Sequence, residues 1–236
     1  MAGNMTINEF ELNNESVYEG EGATSVVAVL EGTPTGRVLY NGRYRSIPKT
    51  RLDTFVSLYL RLLEEGGMPL GVVTGYKQSG AILHYITSEL LEYGVPKDEI
   101  KLCPVEETEI TIDDAVKTKK FLLKKGLDKL PFFLVTSEEH MRTVACKDFD
   151  TCFGDDITFK AIPAPWGVSG LGRIKAELHG VIGNLLDSLI GFNVERGDHE
   201  KLAWKRDMFW PLREWMRPVQ KLESIGREKL ETGVNL

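Results

Sequence analysis

The chain has 236 residues with 29 basic and 35 acidic side chains, a formal charge of −6, and 42% hydrophobic and 27% charged residues with 23 Gly and 10 Pro. That length suits one large domain or a domain with an appendage, and the composition excludes a collagen-like, low-complexity or wholly disordered chain. The negative balance supplies no general field for phosphate backbones or anionic lipid, so neither nucleic acid nor a membrane is an expected partner.

The first basic residue is Arg37, so the opening MAGNMTINEFELNNE has neither the positive start of a secretory signal nor the arginines of a mitochondrial one. No apolar run approaches the roughly 18 residues that a membrane span requires. Ala2 and the terminal GVNL remove myristoyl and prenyl signals. Cys103, Cys146 and Cys152 form no CxxC pair and cannot all be joined in disulfides within one chain. A cytoplasmic location with reduced, buried thiols is the expectation.

Residues 1–22 read as an N-terminal tail, 23–192 as an α/β domain and 193–236 as a helical extension. The run SVVAVL predicts a buried strand, followed by a polar loop from Glu31 to Ser46. Pro48 then opens a helix that carries Leu52, Phe55, Val56, Tyr59, Leu60 and Leu63 at helical spacing and stops at Gly66-Gly67. PLGVVT is the next strand, and Ile82, Leu83, Ile86, Leu90 and Leu91 mark a second helix before the short strand KLCPV. Thr111 reads as an N-cap with Asp114 three residues on, and Ile112, Ala115, Val116, Leu122 and Leu123 line the helix behind it. PFFLVT, β-branched and aromatic, is expected at the centre of the sheet, with the helical pattern Met141, Val144, Ala145 after it. ITFKAI is the fifth strand, and Ile174 to Leu189 mark the most hydrophobic helix. This alternation is that of a three-layer, Rossmann-like parallel sheet of about five strands with a C-terminal helical extension.

In the extension, basic and acidic residues interleave as on a solvated helical face. Trp204, Phe209, Trp210, Leu212 and Trp215 carry large apolar area, and Pro211 is expected to separate two helices. These helices are expected to pack on the domain and either close one side of a pocket or form a homo-oligomer contact.

In an open parallel sheet, ligands bind beyond the carboxyl ends of the strands, where helix N-termini present free N–H groups. The loops there contain Glu31, Gly32, Thr33 and Arg37; Thr74 and Gly75; Glu106, Glu107 and Thr108 before Thr111; Thr136 and Ser137; and Pro163 to Trp166. Their hydroxyl and N–H donors suit a phosphate, carboxylate or ribose group, although Thr and Ser also serve as helix caps in any α/β protein. Arg37, Arg43, Arg45 and Arg51 add guanidinium forks that can clamp an anion. His140, one turn beyond Thr136-Ser137, is the candidate acid or base, expected to titrate near neutrality at a partly exposed helix start, with Asp113 and Glu107 as nearby carboxylates. The rival reading of His140 is a solvent-facing helix residue. There is no GxxxxGK[ST], no GxSxG and no HExxH or paired CxxC, and GVSGLG is wrongly spaced for a dinucleotide fingerprint.

The stretch TGYKQSGAILHYITSELLEYGVPKDEIKLCPVEETEITIDDAVKTKKFL followed by FFLVTSEEHMRTV resembles the YdcF-like domain-of-unknown-function family that includes SanA- and ElyC-type envelope proteins. Thr74-Gly75-Tyr76, Gly94-Val95-Pro96, Glu106 or Glu107, Thr111 to Asp114, and Val135-Thr136-Ser137 with His140 fill the family's characteristic places, over roughly residues 25 to 165. Departures are Leu30 to Thr33 in place of a Gly-rich turn, Ile110 in place of an Asn, Asp113-Asp114 in place of Glu-Asn, and Arg142 two rather than three residues after the histidine. The resemblance implies a Rossmann-like fold with a charged pocket, S-adenosylmethionine as a candidate cofactor, and an enzymatic role as an expectation. Two classes therefore stay open: a small-molecule enzyme for a nucleotide-like or phosphorylated ligand, and a non-catalytic ligand-binding or regulatory module.

Overall fold

The computed structural model describes residues 22–32, 34–74, 79–105, 108, 111–167 and 194–208. Strand β1 (Ser25–Leu30) is buried at every residue. Val26, Ala28 and Leu30 point into one core and Val27 and Val29 into another, as the two-residue period of a strand dictates. A strand apolar on both faces requires a layer on each side.

β1 pairs in parallel with β4 (Pro69–Thr74) on one edge and with β6 (Phe132–Ser137) on the other. β5 (Leu102–Pro104) and β7 (Phe159–Ala164) complete the sheet in the order β5-β4-β1-β6-β7. The central strand is thus β1 and not β6, which the sequence had pointed to; Phe133 of β6 is only half-buried, whereas no residue of β1 is exposed on either face. Helices α1 (Lys49–Glu64) and α2 (Ser79–Glu92) cover one face, and α3 (Thr111–Lys125) and α5 (Cys146–Phe153) the other. The turn α4 (Glu138–His140) and a π-helical stretch, Met141–Ala145, lead from β6 into α5. The change of face follows from right-handed crossovers: the chain steps outward from β1 to β5, then returns to the other side of β1 with β6. This is a Rossmann-like α/β arrangement, with its switch point between the carboxyl ends of β1 and β6.

The segment expected to be a polar loop from Glu31 to Ser46 contains a hairpin, β2 (Gly36–Tyr40) and β3 (Arg43–Ile47). Its two-residue turn is Asn41-Gly42, with φ of 51° and 70°, the positive values that a tight hairpin turn demands. Arg37 stands exposed on β2 as the partner of Ser46, and so does not lie in a strand-end loop.

Residues 199–208 form a helix, α6, that packs on the α3 and α5 face with Leu202 fully buried in that core. Trp204 is 61% exposed, because residues two apart on a helix point about 200° apart and Leu202 takes the inward direction. Arg196 pairs with Asp150 and Asp155, each at 2.7 Å. Gly154 lies backbone to backbone with Gly197, and a Cβ on Gly154 would stand 2.7 Å from the Gly197 Cα. The tail 1–21, the helix expected over Ile174 to Leu189 and the pair of helices expected around Pro211 lie outside the described residues.

The buried Lys119 clasps these parts together. Its Nζ donates to the carbonyls of Cys152 at 3.0 Å, Phe153 at 3.4 Å and Gly197 at 3.0 Å, and meets Asp156 Oδ2 at 2.7 Å. Lys119→Met fills similar volume but strands these acceptors, and is expected to lower stability by about 3 kcal/mol. The check is urea unfolding combined with limited proteolysis, in which cleavage beyond residue 194 should accelerate; unchanged values on both counts refute the clasp.

Candidate functional site

Arg51, on the first turn of α1, fills the switch point. Its Nη1 donates to the Leu30 carbonyl at 3.0 Å and the Glu31 carbonyl at 2.6 Å, at the end of β1, and its Nη2 donates to Ser137 Oγ at 2.9 Å, at the end of β6. The residue is 6% exposed. Gly32 makes this approach feasible, since a Cβ there would stand 2.3 Å from the guanidinium carbon. Burial lowers the Arg51 pKa to about 10, with Asp114 and Glu31 acting in the opposite sense, so the group stays cationic at neutral pH. The three hydrogen bonds use three of the five guanidinium N–H groups.

Asp114, on the first turn of α3, is 8% exposed. Desolvation pushes its pKa up to about 7, hydrogen bonds from Thr108 and Thr74 hold it lower than burial alone would, and the charges of Asp113 and Glu31 add to the rise. Its Oδ1 has no hydrogen-bond partner among the described residues, so the carboxyl group presents an open acceptor and, near neutral pH, an exchangeable proton.

His140 is gripped at both ring nitrogens. Thr136 Oγ1 lies 2.9 Å from Nδ1, and Thr111 Oγ1 lies 2.9 Å from Nε2. A neutral imidazole has one donor and one acceptor nitrogen, so one threonine accepts from the ring and the other donates to it. Burial, reinforced by the Arg51 charge, lowers the pKa to about 3. The residue as a whole is half-buried, but its ring is enclosed by these neighbours. His140 is therefore not a histidine titrating near neutrality; it stays neutral across the physiological range and orders two hydroxyls. Thr111 likewise is the first residue of α3 and turns its hydroxyl to His140. The π-helical stretch begins directly after His140, an irregularity common at functional positions.

The structure thus brings together Glu31, Gly32, Arg51, Thr74, Thr111, Asp114, Thr136, Ser137 and His140. Thr108 joins them by its hydrogen bond to Asp114. Asp113 is buried beside this group but pairs with Lys117 at 3.7 Å and Arg206 at 3.2 Å. Arg142 is exposed and pairs with Glu138 one turn before it, and Arg37 is exposed on strand β2 of the hairpin. Thr33, Gly75 and Glu107 lie outside the described residues. Cys103 and Cys152 are buried and Cys146 is half-buried, and all three are free. Burial raises the Cys152 thiol to about 12, which keeps it from acting as a thiolate. Among the described residues no group of three or more His, Cys, Asp or Glu side chains is arranged to hold a metal ion, and no helix is long and apolar enough to cross a membrane.

No protein-family model, no curated protein and no solved structure matches the chain.

Asp114 and His140 tie the site to the pH dependence of folding with opposite signs. The folded chain keeps a proton on Asp114 from 3.8 up to about 7, so its contribution to stability falls as pH rises through that window. The folded chain excludes a proton from His140 from 6.5 down to about 3, so that contribution falls as pH drops. Where the windows overlap the slopes oppose each other. Relative to the parent chain, Asp114→Asn should gain stability with rising pH, and His140→Gln should gain it as pH falls below 6.5, each by up to about 1.4 kcal/mol per pH unit. Urea unfolding across the acid to neutral range measures both; variant curves running parallel to the parent would contradict these charge states.

Proposed function

We propose that the chain is a small-molecule enzyme of the YdcF-like type whose strand-end pocket takes a nucleotide-like or phosphorylated, anionic ligand. The observation that carries the reading is a buried cation, Arg51, hydrogen-bonded to the ends of β1 and β6 at the switch point, together with a buried carboxyl group, Asp114, whose Oδ1 has no hydrogen-bond partner among the described residues and which titrates near neutral pH. Arg51 supplies charge for an anionic group of the ligand, and its two further N–H donors suit the fork geometry of phosphate or carboxylate. Asp114 takes the acid/base role, because its proton affinity matches the pH at which transfer must run in both directions. His140 holds the Thr111 and Thr136 hydroxyls in fixed orientation and does not itself change charge. Glu31 and the hydroxyls of Thr74 and Ser137 complete the polar rim. In this reading the protein works in the cytoplasm.

A second reading is a non-catalytic ligand-binding or regulatory module, with S-adenosylmethionine among its candidate ligands. It is favoured by the enclosure of His140, which removes the histidine expected to transfer protons.

A thermal-shift screen with S-adenosylmethionine, adenine nucleosides and nucleotides, and sugar phosphates tests both. A ligand at 100 times its Kd should stabilise the chain by about 2.7 kcal/mol. Arg51→Lys, which keeps the charge but not the fork, should weaken that ligand at least tenfold, a loss of about 1.4 kcal/mol. Asp114→Asn that still binds but no longer turns the ligand over supports the enzyme. Binding without turnover in the parent chain, unaffected by Asp114→Asn, supports the module. No stabilisation by any member of the panel overturns the anionic-ligand reading.

A further inference from the structure

Residues 194–208 are pinned to α3 at two points six residues apart. At one end the Gly197 carbonyl accepts from Lys119 Nζ at 3.0 Å, and at the other Arg206 Nη2 meets Asp113 Oδ1 at 3.2 Å. Leu202 is buried in the core between them. Numbering rises along α6 as it falls along α3, so the two helices run antiparallel, and α6 delivers Arg206 to the end of α3 that faces the strand ends.

We propose that α6 is a working part of the strand-end site, with Arg206 as a positioning residue whose pairing with Asp113 fixes the start of α3 and sets the charge beside Asp114. The proposal rests on the reading of the strand-end pocket as the functional site. Asp113 is 2% exposed, and a carboxylate so deeply buried must be matched by cations. Arg206 Nη2 lies 3.2 Å from its Oδ1 as an ion pair in which that oxygen accepts no hydrogen bond among the described residues, and Lys117 Nζ lies 3.7 Å from its Oδ2. Arg206 Nη1 also reaches the exposed Asp207 at 2.9 Å.

Asp113 and Asp114 are successive residues on one helix, so their charges cannot be set independently. The groups acting on Asp114 come from several elements: Glu31 from the loop after β1, Thr74 from β4, Thr108 from the loop before α3, and Asp113 from α3 itself, while Asp114 in turn raises the Arg51 guanidinium of α1. Lys117 and Arg206 act through Asp113. Removing the Arg206 charge leaves the Asp113 carboxylate less compensated, and Asp114 beside it then holds its proton more tightly.

The test is a carboxyl-carbon NMR titration of the full chain with labelled aspartate. Arg206→Gln should raise the Asp114 midpoint by about half a pH unit or more, roughly threefold in proton affinity. Arg206→Lys should restore most of the change, and Asp113→Asn should move the Asp114 midpoint the other way. An unmoved midpoint in Arg206→Gln, even with a lower melting temperature, reduces Arg206 to a packing contact and overturns the proposal. If the Gln variant does not fold, Arg206→Met, which keeps the chain length without the charge, is titrated in its place: a raised Asp114 midpoint supports the proposal and an unmoved one overturns it. The ligand panel on the parent chain judges the pocket separately: a moved midpoint without any ligand-induced stabilisation supports the role of Arg206 and sinks only the functional reading.

Discussion

The guanidinium of Arg51 joins two strands that the chain order keeps apart. β1 and β6 are neighbours in the sheet but are separated by two full β/α units in sequence, and beyond their last paired residues no ladder bond holds their ends together. Arg51 supplies that link, with donors to two carbonyls at the end of β1 and to the Ser137 hydroxyl at the end of β6. Because the cation is buried, its charge is weakly screened and reaches further than a surface charge would. The neutral state of His140 follows in part from it. A structural tie and an electrostatic source are thus the same side chain, and the freedom of Gly32 from a Cβ is the condition for both.

The polar groups around this cation are arranged in two tiers. Asp114 retains an open acceptor and a proton of neutral affinity, which suits a group that exchanges with a ligand. His140, held at both nitrogens, retains neither an open nitrogen toward its two threonines nor a titration within the physiological range. Burial produces both states, since desolvation disfavours whichever form is charged: it raises a carboxyl and lowers an imidazole.

What the sequence made legible was position; what it hid was charge state and long-range pairing. SVVAVL and PLGVVT coincide with β1 and β4, because strands buried on both faces announce themselves as unbroken apolar runs. The strand-end rule points to Thr74, Thr111, Thr136, Ser137 and His140, the density of arginines after β1 to Arg51, and the family resemblance to Asp114. The hairpin escaped, although Asn41-Gly42 is a strong turn signal, because its strands are short, β3 interrupts its apolar residues with Arg43 and Arg45, and apart from Ile47 no residue of either strand is fully buried. Arg37 was misplaced with it. The neutrality of His140 was not readable from its neighbours in sequence, since Thr111 and Arg51 come from other elements. Nor was the pairing of Asp113 with Arg206, which only the antiparallel lie of α6 on α3 creates.

The four acceptors of Lys119 bear on how the molecule closes. They belong to the end of α5, to Asp156 after it, and to Gly197, which is 78 positions from the lysine. An ammonium group leaves water at great cost until its replacement partners are in place, so half-assembled forms of this corner are disfavoured. α3, α5 and the segment at 197 therefore order as one unit, and their amide protons should exchange with solvent together. Local fraying that spares the sheet must open this corner as a whole, which makes it a cooperative unit distinct from the β1, β4 and α1 half of the fold.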